Sequence, residues 1–419
     1  MDQSQSRTIR YAVAGLCGLA LLLLLGWLVV REPAPTSNES VAVAVVAPPF
    51  APDADASRET PTNQTAEAIT NVATIYRQAF ALFDALSMEE KELTLDWRTN
   101  VDASAAAELC GNLKPIVALA HQAVAVTNCD WGMDAATLDT NSVQIGTFQV
   151  SARALEVMHT AEQARSLARM MVWNAAHCRE GDSVGLGDDL AATLRLGQSL
   201  SHGFSGGFLG YLTDGAIERL AIAYLADTAG ALPDEVAARL KQLFDDEQYE
   251  GSFYSALDSD IRMRRQGADR IAAMSPEEAK KALQQRWGEG PVPPTFQAQF
   301  VAAERQFAEL EGEYAQALTL PEAQYQAWLD KLHTMEQADT VLASEWSDLD
   351  RITDEARAVV VQRAMVVAGL AVVQDGPDAL ASHPDPATGQ PFTYTETTDG
   401  FALESTFQLN GKSVKLSFK

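Results

Sequence analysis

Residues 203–207 read Gly203-Phe204-Ser205-Gly206-Gly207, a G-x-S-x-G sequence. In an α/β-hydrolase such a serine stands on a strand-to-helix elbow, where a histidine activates it. His333 and His383 lie downstream, and Glu180 and Asp182 are acids just upstream. The surroundings do not fit that chemistry. Residues 191–200 carry helical periodicity, no series of βα units encloses the motif, and no oxyanion loop is recognisable before it. Glycine is also what a turn between two helices needs. No catalytic residue is assigned, and Ser205 is kept as the nucleophile of an alternative reading, a hydrolase with a distant histidine or an acid such as Glu180 or Asp182.

The six histidines (121, 159, 177, 202, 333 and 383) show no two-histidine spacing on a helix, and there is no C-x-x-C. His177 and Cys178 are adjacent, but neighbours on a helix point in different directions. No metal or cofactor ligand is assigned. Asp188-Asp189, Asp245-Asp246-Glu247 and Asp258-Ser259-Asp260 lack the EF-hand order, and read as solvated helix faces or caps. Trp97, Trp131, Trp173, Trp287, Trp328 and Trp346 are spread as core anchors would be, not as a sugar platform.

Of the four cysteines, Cys110, Cys129 and Cys178 lie in the body of the chain and Cys17 near its start. Three small buried thiols are the simplest reading. If a disulfide forms, a continuous helix would hold Cys110 and Cys129 about 28 Å apart. Cys129 with Cys178 is the easier pair where two helix ends meet.

The elements that would position these groups fall into five stretches. Residues 1–10 form a short tail with Arg7 and Arg10. Residues 11–30 (YAVAGLCGLALLLLLGWLVV) hold no charge and, as a helix, would cross one hydrocarbon core of roughly 30 Å. The run exceeds a signal peptide's apolar region, so it is expected to be a retained signal-anchor. The positive-inside rule then puts the N-terminus in the cytoplasm and the bulk of the chain outside, single-pass, in the periplasm or its equivalent. Residues 31–64 hold six of the 17 prolines and read as an extended tether. Residues 65–374 have helical spacing, for example Leu109, Leu113, Ile116, Ala120 and Val124. Within them residues 357–373 are apolar nearly all round, which with Arg357 and Arg363 suits a buried central helix better than a second span. Residues 375–419 switch to period two around Asp399-Gly400 and Asn410-Gly411, the signature of a three-stranded meander. The expected fold is mainly α: an N-terminal transmembrane helix, an irregular, solenoid-like helical ectodomain and a small C-terminal antiparallel sheet.

Net charge is −26; residues 1–30 carry +1, so −27 falls on the rest. That balance, with no basic stripe, argues against nucleic acid as partner. It suits a soluble body held off an anionic membrane surface.

Two resemblances add to this. Residues 165–200 (RSLARMMVWNAAHCREGDSVGLGDDLAATLRLGQSL) resemble one tetratricopeptide-type helix pair, turning at Glu180-Gly181-Asp182 with Leu190 and Leu194 facing back. No second copy follows at a 34-residue period. The stretch from Glu180-Gly181-Asp182 through Asp189-Leu190 to Leu196, and the ending Asp385-Pro386-Ala387-Thr388-Gly389-Gln390-Pro391-Phe392-Thr393-Tyr394 before Asp399-Gly400-Phe401, resemble a group of uncharacterised bacterial envelope proteins. The ending is also similar to the C-terminal turn and strands of type II secretion pseudopilins, although the prepilin-peptidase glycine and the early glutamate of that family are missing. The anchor, the tether, the helix pairs and the absence of a coherent catalytic set point to a non-catalytic, membrane-anchored envelope protein whose helical ectodomain meets a protein or other envelope partner; the C-terminal segment alone supports a pseudopilin-like secretion component as a further alternative.

Overall fold

Asn71 opens the first helix by accepting the Ala73 amide with its side chain, while its own amide and the Asp130 backbone tie the entry to the chain beyond the third helix. The computed structural model describes residues 71–132, 142–145, 148–179, 181–203, 208–245, 248–287, 296–317 and 340–419, with isolated positions between 324 and 334. Residues 11–30 and the 31–64 tether lie outside the described residues.

The chain is mostly helical and ends in a small antiparallel sheet. The helices are α1 (Val72–Asp84), α2 (Met88–Leu93), α3 (Ala103–Val124), α4 (Ala152–His177), α5 (Ser183–Gly203), α6 (Phe208–Thr228), α7 (Asp234–Asp245), α8 (Gln248–Ala273), α9 (Pro276–Trp287), α10 (Phe296–Ala317) and α11 (Thr340–Asp375). Their apolar faces follow the sequence spacing closely. Leu109, Leu113, Ile116 and Ala120 of α3 are buried; Val124, its last residue, is exposed and Ala123 takes the inner place. Pro115 sits inside α3 without ending it. Ser275 and Glu278 reciprocally cap α9, as Ser-Pro-Glu-Glu predicts.

Among the described residues the core falls into three large clusters and a small fourth one around Ala268, Ile271, Ala279, Phe300 and Val301 of α8 to α10. α1, α3, α4 and α5 close over Tyr76, Phe80, Trp131 and Trp173. α4 to α7 pack with α11 and the sheet in a second cluster. α6, α8, α10 and α11 form the third, around Tyr211, Phe253 and Tyr314. The stretch Ile352–Asp375 of α11 is long and apolar enough to cross a membrane, yet most of it is buried within the protein. It is the central helix expected from residues 357–373, with Arg363 itself buried.

A hairpin that the helical reading of 65–374 missed precedes α4: β1 (Ser142–Ile145) pairs antiparallel with β2 (Phe148–Ser151). Its signal was a short period-two run around Gly146-Thr147. The C-terminal meander is β3 (Thr393–Thr397), β4 (Gly400–Leu409) and β5 (Lys412–Phe418), in the order β3-β4-β5. Asn410 (φ 52°) and Gly411 (φ 73°) make the expected left-handed turn. The first turn differs from the Asp399-Gly400 expectation. Gly400 already pairs with Thr397, so the loop is Thr398-Asp399. Glycine is needed there because a Cβ would overlap the Phe418 carbonyl oxygen.

Asp385 fastens the turn that leads into this sheet. Its amide donates to the Gln390 carbonyl (2.7 Å), its carbonyl accepts from Thr388 and Gly389, and its buried carboxylate accepts from Ser405 on β4 (2.7 Å). The end of the chain is also held. The Lys419 amide donates to Ala226 of α6 (3.0 Å) and its carbonyl accepts from Gly230 (2.9 Å).

Candidate functional site

Among the described residues, a dense polar arrangement gathers where α3, α4 and α5 meet. The turn from α4 to α5 is set by Gly181 (φ 73°) and by Asp182, which caps α5 by accepting the Gly185 amide at 3.0 Å. One turn and a half into α5, Asp189 points inward and is fully buried. Its Oδ1 meets His121 Nε2 of α3 at 2.7 Å, and its Oδ2 accepts from Asn174 Nδ2 of α4 at 2.7 Å. Arg179, from the turn, grips both oxygens, Nε to Oδ2 at 2.9 Å and Nη2 to Oδ1 at 3.0 Å. Burial pushes the Asp189 carboxyl up; hydrogen bonds from His121, Arg179 and Asn174 outweigh it and hold the group below the usual carboxylate range. Asp188, its neighbour, is the surface acid and pairs with Arg239 at 2.6 Å. The solvated-face reading thus holds for Asp188 and fails for Asp189. A fully buried aspartate is stable only because three partners converge on it, which composition cannot show.

Next to this cluster, Cys178 is disulfide-bonded to Cys110, with Cα atoms 5.7 Å apart. Both expectations for the thiols are corrected. Two of the three are joined, and Cys129, not Cys110, is the free one. The end of α4 does meet another helix, but it meets the first third of α3, while Cys129 lies beyond the other end of α3 and donates to the Ser199 carbonyl (3.2 Å). His177 Nε2 bonds the Trp97 carbonyl (2.9 Å), away from any shared ligand set with Cys178.

A carboxylate-oriented imidazole is half of a hydrolytic triad. His121 keeps 31% of its side chain exposed, but among the described residues no hydroxyl or thiol is hydrogen-bonded to it. Asp189 is saturated by its three partners, as a structural hub would be.

Ser205, Glu180 and His333 lie outside the described residues. Asp182 is a helix cap, and His383 sits against Lys241 of α7 (3.5 Å). Ser201 and His202, just before the glycine-rich stretch, bond the Gln198 carbonyl at 3.1 and 2.8 Å. Trp131 and Trp173 are core residues, and Trp97 is half-buried under the Arg98 guanidinium.

A second polar group was not legible at all. Asp214 and Glu218, one turn apart on α6, are only 3% and 4% exposed. Arg363 of α11 reaches Glu218 Oε1 at 3.3 Å. In sequence these are ordinary helix acids, four residues apart. Among the described residues no group of three or more His, Cys, Asp or Glu side chains is arranged to hold a metal ion.

No family model, curated protein or solved structure matches the chain.

Proposed function

We propose that this chain is a membrane-anchored, non-catalytic envelope protein whose helical domain, outside the cytoplasm, binds a protein partner. The uncharged run of residues 11–30 after Arg7 and Arg10 supports the anchor and its orientation. The observation that carries the compartment is the Cys110–Cys178 bond, since structural disulfides persist in oxidising surroundings. The polar side chains best placed for chemistry are tied into the helix packing around Asp189, which favours binding over catalysis.

Protease added outside intact spheroplasts should digest residues 31–419 and leave a short membrane-protected fragment. Crosslinking in intact envelopes should then capture one specific protein. Full protection of the body would overturn the orientation, and crosslinking without a specific product would overturn the binding role.

A second reading, a pseudopilin-like secretion component, is favoured by the meander and its Asp385-fastened turn. N-terminal sequencing of the native protein tests it: a start at Met1 or Asp2 speaks against processing by a prepilin peptidase.

A further inference from the structure

Asp214 and Glu218 are two buried carboxyls that share one close buried cation, Arg363. Both carboxylates lie in the interior, a turn apart on α6. The charged groups acting on them are Arg363 of α11 and Arg219 of α6, with the Ser201 hydroxyl of α5 hydrogen-bonded to Asp214. Arg219 is drawn to Glu355 and Gln362 of α11. Arg363 also donates from Nε and Nη2 to the Phe244 carbonyl at the end of α7, at 3.2 and 2.9 Å. Asp214 Oδ2 has no hydrogen-bond partner among the described residues. Two ionised carboxylates here would leave an uncompensated buried charge, which interiors do not tolerate.

α5 passes directly over Asp214 at Gly197, where even a Cβ would overlap Oδ1. Moving α5 off α6 would open this side of Asp214 to water.

We propose that Asp214 and Glu218 form a proton-operated latch: while the pair beside Arg363 keeps a proton, α6 packs between α5 and α11, and losing that proton as the pH rises loosens the packing. Burial is the main cause that pushes Asp214 up to about 7 and Glu218 up to about 8, with Arg363 opposing it in both. The raised groups bind more protons folded than unfolded. Their contribution is therefore complete below their unfolded values near 4 and is lost progressively up to about pH 8.

The latch has a structural output. α6 ends where Ala226 and Asp227 hold Lys419, and α11 carries Gly369 beneath Phe418. Loosening α6 from α11 therefore pulls the two moorings of the C-terminal strand apart.

The test uses the full chain in detergent, with thermal midpoints and amide exchange read from pH 5 to pH 9. In the native protein the midpoint should fall by several degrees over that range, and exchange should rise first in α6, α11 and β5. Asp214→Asn with Glu218→Gln mimics the protonated pair and should make both responses shallower, leaving the part due to Glu311 of α10, which burial also pushes up, to about 9. An unchanged pH slope in the double variant overturns the latch, as does a native midpoint that does not fall. Should the double variant not fold, each single substitution must still shallow the slope, and failure of both to do so overturns it equally.

Discussion

Arg179 holds both oxygens of Asp189, and the residue before it, Cys178, is covalently joined to Cys110. One turn of five residues therefore locks three helices at once. Asp189 and Asn174 link α5 to α4, His121 brings in α3, and the disulfide fixes the start of α3 against the end of α4.

Replacing Asp189 should be among the most damaging single changes. Asp189→Ala leaves Arg179 with only Asp182 (3.3 Å) and leaves Asn174 and His121 without their acceptor; roughly 3–5 kcal/mol of stability should be lost. Chemical denaturation of the variant against the native chain checks this. Because the Asp189 carboxyl is held low in the folded state, its contribution is present above its unfolded value of 3.8 and fades as the pH falls below it. Asp189→Asn should remove that part of the acid limb.

Breaking the disulfide should destabilise strongly but more gradually. Cys110 and Cys178 enclose 68 residues of separation, for which loop-closure entropy gives about 4 kcal/mol. Reduction, or Cys110→Ala with Cys178→Ala, should lower the denaturation midpoint accordingly. An unchanged midpoint would mean that the Asp189 cluster alone fixes the α3–α4 contact.

Cys129 should stay inert in the folded protein. Burial, its leading cause, raises the thiol to about 11 against 9.0 for the ordinary group. About a hundredfold less thiolate is then present at pH 8. Alkylation followed by mass spectrometry should label Cys129 only in denaturant and Cys110 and Cys178 only after reduction.

Two glycines in helices should respond oppositely to alanine. Gly369 of α11 lies under the Phe418 ring, where a Cβ would overlap it; Gly369→Ala should cost about 1–3 kcal/mol and loosen the sheet. Gly267 of α8 has nothing near its would-be Cβ, so Gly267→Ala should stabilise by about 0.5–1 kcal/mol. Thermal melts of the two variants separate packing from helix propensity.

Much of the architecture was legible because it depends on near neighbours. Leu109, Leu113 and Ile116 mark a buried stripe whatever lies opposite it, and Asn410-Gly411 specifies a left-handed turn by its own backbone preferences. The turn at Gly181 and the helix pair around it were likewise readable, as was the buried central helix carrying Arg363. The β1–β2 hairpin was missed because four-residue strands give too short a period to stand out among long helices.

What only the tertiary structure decided are relations between residues far apart in sequence. Asp188 and Asp189 look alike in the chain, yet one faces water and the other is buried with partners drawn from 10 to 68 residues away. Cys178 could in principle reach either of two cysteines, and the direction in which α3 runs past α4 chose Cys110. Asp214 and Glu218 read as common helix acids until α5 and α11 close over them. Helical periodicity is set by local backbone geometry, so the sequence determines it unaided. The protonation, pairing and burial of these groups are set by the dielectric and the neighbours they meet, and those exist only once the helices have packed.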